Sequence, residues 1–239
     1  MLSCIILAGG LGTRLSAPVP KCVVPVNNKP FLFWVIKGLQ YQGVEDIILS
    51  LGYKADSVIS TMKPIFDVRY VVEKEPLGTG GAIRYCLEST ATADSVLIVN
   101  GDSFVRFNLK ELKRIFSENT GAVVASYMND CSSYGRISID EDGRIVGFIA
   151  GGGKEAGIIN AGIWLFDKQK LLDYIPKGKA SLEYDVLPNL ISKESCFAYT
   201  VKDPLFDIGT PDRLKTAESF FKSLGGEDGF LEYIREVIL

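Results

Sequence analysis

Short apolar runs alternate with more mixed stretches through the first half of the chain. Residues 3–8 form an apolar run closed by glycines, which predicts a buried strand, and residues 46–51, 68–72 and 95–100 repeat the pattern. Between them, residues 30–41, 54–62 and 80–88 read as helices. Pro30 is expected at the first helical position, where a missing N–H costs nothing. Residues 109–117 add a helix and 122–128 a strand. This alternation predicts a three-layer α/β/α fold around a mainly parallel sheet.

The second half changes character. Residues 136–139 and 144–149 flank Glu141-Asp142-Gly143, and Asp-Gly between two strand-like runs predicts a hairpin. Residues 158–166 and 196–200 read as further strands, and 183–191, 211–224 and 230–237 as helices. No long linker or internal repeat divides the chain. The expectation is one domain, residues 1–239, with a first α/β half (about 1–128), an inserted or appended β-rich part (about 129–210) and C-terminal helices (211–239). Ligands in such sheets sit beyond the carboxyl ends of the strands, near a reversal of strand order.

Composition narrows the chemistry. A chain of 239 residues, 47% hydrophobic, can bury a sizeable core without staples. No apolar run approaches the ~20 residues that span a bilayer, so no membrane association is expected. A net charge of −3 argues against a nucleic-acid surface. Residues 1–10 carry no cationic segment of a secretion signal. The five cysteines lack CxxC spacing, so reduced thiols and a cytoplasmic location are expected. The chain contains no histidine. Histidine bases, Ser-His and Cys-His pairs and histidine-bound zinc are therefore excluded. Chemistry is left to Asp, Glu, Lys, Arg, backbone amides or a hard metal ion.

The strongest local signal is Leu7-Ala8-Gly9-Gly10-Leu11-Gly12-Thr13-Arg14-Leu15, followed by Pro20-Lys21. A glycine loop after the first strand lets backbone N–H groups close on phosphate oxygens. Arg14 adds a planar fork of donors and Lys21 a compact charge. A P-loop would need Gly-Lys-Ser/Thr at the loop's end, and a dinucleotide fingerprint a third spaced glycine. Neither is present.

Together with Pro25-Val26, this stretch resembles the signature of the sugar-1-phosphate nucleotidyltransferases, also called nucleotide-sugar pyrophosphorylases. Further stretches match in family order: Glu75-Pro76-Leu77-Gly78-Thr79-Gly80-Gly81-Ala82, Val99-Asn100-Gly101-Asp102, Tyr134-Gly135, Ile159-Asn160-Ala161-Gly162-Ile163 and Phe206-Asp207-Ile208-Gly209-Thr210-Pro211. The likeness runs over about residues 2–220. Within the family it is greatest to the enzymes that guanylylate D-glycero-D-manno-heptose 1-phosphate.

The resemblance implies a Rossmann-like, GT-A-like nucleotidyltransferase fold and a magnesium-assisted transfer between a nucleoside triphosphate, GTP favoured, and a sugar 1-phosphate. It assigns catalysis to Arg14, Lys21 and Asp102, and metal binding to Asp102 and Asp207. Nucleotide binding falls to Leu7, Ala8, Gly9, Gly10, Gly12, Thr13, Glu73, Pro76, Gly78, Thr79 and Gly101. Sugar-phosphate binding falls to Tyr134, Gly135, Asn160, Ala161 and Gly162. Guanine carries N1–H and N2–H₂ donors, which either Glu73 or Glu75 could accept. Thr210-Pro211 reads as a helix cap and first helical residue.

Two departures stand out. Only six residues separate Arg14 from Lys21, which shortens the flap over the triphosphate. After Phe148 the chain reads Ile149-Ala150-Gly151-Gly152-Gly153-Lys154, where the family often has Glu-Lys. Other readings stay open: a transferase for mannose, glucose or N-acetylmuramate 1-phosphate with GTP, CTP or UTP, or a non-catalytic nucleotide-sugar sensor. A metal-dependent glycosyltransferase would want an Asp-x-Asp, which Asp102-Ser103-Phe104 lacks. Oligomeric state is left open.

Overall fold

The computed structural model describes residues 2–10, 12, 15 and 18–238. Strand β1 (Leu2–Leu7) is followed by a small hairpin, β2 (Pro25–Val26) and β3 (Lys29–Pro30), and by helix α1 (Phe31–Tyr41). Then come β4 (Asp46–Leu51), α2 (Ala55–Met62), β5 (Arg69–Val72), α3 (Gly78–Ser89), β6 (Ser95–Asn100), the short β7 (Ser103–Phe104), α4 (Leu109–Phe116) and β8 (Gly121–Met128). The second half contributes β9 (Arg136–Ile139), β10 (Ile145–Ile149), the long β11 (Gly157–Asp167), α5 (Lys168–Tyr174), α6 (Leu187–Lys193), β12 (Cys196–Val201), β13 (Phe206–Asp207), α7 (Pro211–Ser223) and α8 (Glu227–Ile238).

Strand β1 lies between β4 and β6, parallel to both. The chain moves outward from β1 through β4 to β5, then returns to lay β6 on the other side. That return is the strand-order reversal at which open α/β sheets bind ligands. Beyond β6 the sheet turns mixed: β11 runs antiparallel to β6 and to β8, and β12 parallel to β8. The β9–β10 hairpin joins through Ile159 of β11, so both halves of the sequence share one sheet.

Alternation along the strands supplies both faces with apolar side chains. Cys4, Ile6, Leu97 and Val99 face the layer of α1, α2, α7 and α8, while Ile5, Val96 and Ile98 face α3, α5 and α6. The first layer has an aromatic centre. Trp34, Phe221 and Phe230 meet there, and Phe104 of β7 packs on Phe221 at 5.3 Å and on Phe230 at 5.5 Å. Phe206 of β13 stacks on Phe220 at 4.2 Å. These contacts anchor the β7–β13 pair, whose short ladder sets Asp207 opposite Ser103.

Two sequence expectations need correction. Pro30 does not open α1 from inside: with ψ at 141° it is extended, ends β3 and stands one residue before the helix. The predicted helix over 183–191 begins instead as a π-helical turn, Leu182–Val186, and becomes α-helical only at Leu187. Helix α5 and the pairs β2–β3 and β7–β13 were not foreseen.

Candidate active site

A cleft of about 830 Å³ opens at the carboxyl ends of β1, β4, β5 and β6. Every described residue assigned a site role from the sequence lines it. These are Leu7, Ala8, Gly9, Gly10, Gly12, Lys21, Glu73, Pro76, Gly78, Thr79, Gly101, Asp102, Tyr134, Gly135, Asn160, Ala161, Gly162 and Asp207. Arg14 and Thr13 lie outside the described residues.

Backbone bonds extend the strand ends into the cleft. Ala8 N donates to Ser50 O at 2.9 Å, Gly101 N to Leu7 O at 2.9 Å and Glu73 N to Leu51 O at 2.9 Å. The loops that leave the sheet are thus held side by side. Lys21 opens a 3₁₀ turn (Lys21–Val23) that follows the β1 loop, and Cys22 and Val23 bury beside it.

The polar centre is a chain of opposed charges. Lys21 Nζ donates to Asp102 Oδ2 at 2.6 Å, and only 13% of the Lys21 side chain is exposed. Asp207 Oδ2 accepts a short bond from the Tyr134 hydroxyl. Asp207 Oδ1 accepts from Gly209 N at 2.8 Å, and Arg213 Nη1 lies 3.2 Å from Oδ2 and 3.3 Å from Oδ1. Burial, reinforced by the Asp207 carboxylate, pushes the Tyr134 phenol well above its ordinary pKa, so it stays a donor. Ile208 N donates to Asp102 O at 3.1 Å, which ties the two acidic loops together.

Asp102 and Asp207 are the hard oxygen ligands to test against a divalent ion. Among the described residues no group of three or more Asp, Glu, Cys or His side chains gathers as a metal cage. Magnesium commonly takes one or two carboxylates and completes its shell with water and phosphate. The pair fits that donor set; it does not fit a zinc site built from protein alone.

At the end of the cleft beside β4 and β5, Glu73 is half-buried beside Gly9 and Gly52, and its Oε2 accepts from Leu77 N at 3.2 Å. Burial raises its pKa, and the Leu77 bond opposes the rise. Glu75 also lines the cleft but is exposed. Between the two carboxylates, Glu73 has the fixed position.

On the other side, β11 breaks its ladder. Asn160 pairs with Ala125 and Ile163 with Val124, so Ala161 and Gly162 are extra residues in a bulge. Gly162 has φ at 78°, and a Cβ there would meet Asn100 Nδ2 at 2.7 Å. Asn160 is 4% exposed; its Nδ2 donates to Gly135 O at 3.3 Å and to Glu183 Oε1 at 3.5 Å. Burial raises the Glu183 pKa, opposed by the Asn160 bond.

Sequence reading assigned no role to Arg213 or Glu183, although both line the cleft. Each is a charged residue in the first turn of a helix, two or three places after a helix-capping Ser or Thr. Nothing in the pattern separates that from a solvated first turn. Sequence reading also gave Gly78 and Thr79 to nucleotide binding. The structure adds a second use for this run. Gly80 N and Gly81 N both donate to Ala180 O, at 2.9 and 3.1 Å, and Leu182 N donates to Thr79 Oγ1 at 2.8 Å. A Cβ on Gly81 would lie 2.4 Å from Gly178 O. Gly81→Ala is expected to lower stability by about 1–3 kcal/mol, the usual range for overpacking; urea unfolding read by circular dichroism measures it, and an unchanged midpoint refutes it.

The cysteines sit in the packed interior. All five are buried and unbridged, and burial pushes the Cys22 thiol up to about 12. No helix among the described residues is long and apolar enough to cross a membrane.

Comparison with known proteins agrees with this geometry. The chain is 35% identical over 217 residues to a D-glycero-alpha-D-manno-heptose 1-phosphate guanylyltransferase of Campylobacter jejuni, covering 88% of this chain and 96% of that one. It is 32% identical over 225 residues to the enzyme of the same name from Aneurinibacillus thermoaerophilus, covering 91% and 97%. The crystal structure of HddC from Yersinia pseudotuberculosis complexed with GMP-PN superposes with a TM-score of 0.82 at 34% identity, over 92% of this chain and all of that one. A putative glucose-1-phosphate thymidylyltransferase from Bacillus anthracis reaches the same TM-score at 19% identity, over 96% of this chain and 99% of that one, and shows the shared fold. The nucleotidyl transferase family model matches residues 3–223, and with that span the chain belongs to the nucleotidyl transferase family.

Proposed function

We infer that the chain transfers a nucleotidyl group from GTP to a D-glycero-D-manno-heptose 1-phosphate, releasing pyrophosphate and forming a nucleotide sugar. The observation that carries this reading is the meeting of Lys21, Asp102, Asp207 and Tyr134 at the strand-order reversal, between a glycine loop and a bulged strand. The naming of two relatives as heptose 1-phosphate guanylyltransferases supports the choice of substrates.

The reaction needs no histidine. A phosphate monoester has its second pKa near ~6, so the acceptor is largely dianionic at neutral pH. One of its oxygens forms a bond to the α-phosphorus of GTP while the bond to the bridging oxygen breaks. The electron pair leaves with pyrophosphate, and no proton has to be removed from the nucleophile. The protein's work is alignment and charge neutralisation. In this reading the loop after β1 cradles the triphosphate, with Arg14 on the leaving pyrophosphate and Lys21 on the charge at the attacked phosphorus. Asp102 and Asp207 would hold Mg²⁺, which when bound supplies Lewis-acid neutralisation of phosphate charge. Tyr134 fixes the Asp207 carboxylate through its short bond. Gly135, Asn160, Ala161 and Gly162 shape the sugar side, and Leu7, Ala8, Glu73, Pro76, Gly78 and Thr79 the base side. We place the enzyme in the cytoplasm, with one domain holding both subsites.

The test is a matrix of GTP, ATP, CTP and UTP against manno-heptose, mannose, glucose and N-acetylmuramate 1-phosphates, scored by pyrophosphate release. GTP with the heptose phosphate is expected to give the highest kcat/KM. A carboxylate site that accepts from guanine N1–H and N2–H₂ leaves buried acceptors unpaired with ATP, a mismatch of orders of magnitude. In direct competition with GTP, the heptose product should outweigh the mannose product by mass. A dominant hexose product, or a preference for UTP or CTP, overturns the substrate pair and leaves the enzyme class; no release in any combination removes the class.

A further inference from the structure

The sugar side of the cleft must receive a second highly charged anion, and the groups already there are mostly acidic. Asp102, Glu183 and Asp207 line it there, with Glu73 and Glu75 at the base end of the cleft. Against them, the described cations lining it are Lys21, Lys74 and Arg213. Lys21 is held on Asp102. Lys74 belongs to the exposed loop after β5, at the base end. A dianionic acceptor brought up to Asp102, Asp207 and Glu183 has one described cation left to meet it.

That cation is held in place from several sides. Thr210 caps α7, its Oγ1 accepting from Arg213 N at 3.4 Å, and Pro211 starts the helix, so Arg213 emerges in the first turn facing β13. Arg213 Nη1 reaches Asp207, Nη2 donates to Ser133 Oγ at 3.0 Å, and the guanidinium carbon lies 5.2 Å from the centre of the Tyr134 ring. A Cβ at Gly209 would lie 2.8 Å from Asp207 Oδ1, 3.5 Å from Lys21 Nζ and 3.8 Å from Arg213 Nη1, so these three charges converge. A guanidinium carries five N–H donors in a planar fork. The contacts to Asp207 and Ser133 leave donors over, and its side chain is 34% exposed to the cleft.

We propose that Arg213 binds the phosphate of the sugar 1-phosphate and aims its attacking oxygen at the α-phosphorus. Asp207 and Ser133 fix the plane of the guanidinium, and the remaining N–H groups take the phosphate oxygens. The two substrates then have separate cations, Lys21 for the nucleotide and Arg213 for the acceptor. This assignment rests on the nucleotidyl transfer proposed above.

The experiment compares wild type, Arg213→Gln and Arg213→Lys. Steady-state kinetics give KM for the sugar 1-phosphate, and calorimetry without acceptor gives Kd for GTP. The expected result is a KM for the sugar 1-phosphate raised about tenfold or more in Arg213→Gln, the usual worth of a charge-assisted hydrogen bond. The Kd for GTP should stay within about twofold, and Arg213→Lys should recover part of the loss, because it keeps the charge without the fork. A rise below about fivefold in both variants overturns the proposal. So does a parallel loss of GTP affinity, which would make Arg213 a prop for Asp207. If wild type releases no pyrophosphate with any sugar 1-phosphate, the parent reading falls and this assignment with it, a result distinct from an active enzyme indifferent to residue 213.

Discussion

Lys21→Ala is expected to lower kcat about a hundredfold, near 3 kcal/mol, with a smaller effect on KM. The side chain is mostly buried and its ammonium sits 2.6 Å from Asp102 Oδ2. In the ground state it balances that carboxylate. As the bond to pyrophosphate breaks, negative charge grows on the phosphate oxygens, and a fixed ammonium stabilises the grown charge more than the starting one. The variant also leaves Asp102 without its partner, so the loss combines two effects. Lys21→Arg should stay well below wild type, because a planar fork cannot replace a point charge seated between a carboxylate and a phosphate. Steady-state kinetics with both substrates varied separates kcat from KM. Retention of more than about half of wild-type kcat by Lys21→Ala would withdraw the loop assignment.

Chelation should abolish turnover, and added Mg²⁺ or Mn²⁺ should restore it. With no histidine and no exposed thiol, the available ligands are hard oxygens, which favour these ions over zinc. Asp102→Asn and Asp207→Asn should each cost about a hundredfold or more in kcat/KM at a fixed metal concentration, the scale of losing a charge-stabilising group in a closed site. The two should differ in kind. Asp207 also accepts from Tyr134, Gly209 and Arg213, so its replacement disturbs a web of partners. Asp102 is bonded through its side chain to Lys21. Full activity in excess chelator would sink both metal assignments.

The central strands were legible because each is a short apolar run that stops at glycine or a polar residue. The bounds Asp46–Leu51 and Ser95–Asn100 coincide with expectation. The same rule located the cleft, since ligand-facing residues in such sheets follow the strands directly. The second half was less transparent. The two-residue strands β7 and β13 are too short to carry a period, yet their pairing brings Asp207 beside Ser103 and the Asp102 loop. The bulge in β11 is invisible to alternation, because Ala161 is as apolar as its neighbours and only Gly162 hints at a positive φ. Arg213 and Glu183 enter the cleft through contacts with residues distant in sequence, Ser133 and Asp207 for one and Asn160 for the other. Such pairings depend on packing that no local pattern encodes.

The carbonyl of Ala180 accepts from both Gly80 and Gly81 at the start of α3, while Thr79 Oγ1 receives Leu182 N from the turn that carries Glu183. The loop proposed to meet the base and the segment proposed to meet the sugar are therefore one mechanical unit with two mouths. Neither can shift by more than these bonds tolerate without dragging the other. Thermodynamic linkage gives this a definite form: the factor by which one substrate changes the affinity for its partner equals the factor by which the partner changes the affinity for it. In the proposed reading, recognition of the base and recognition of the sugar are joined through the Ala180 carbonyl and the Thr79 hydroxyl.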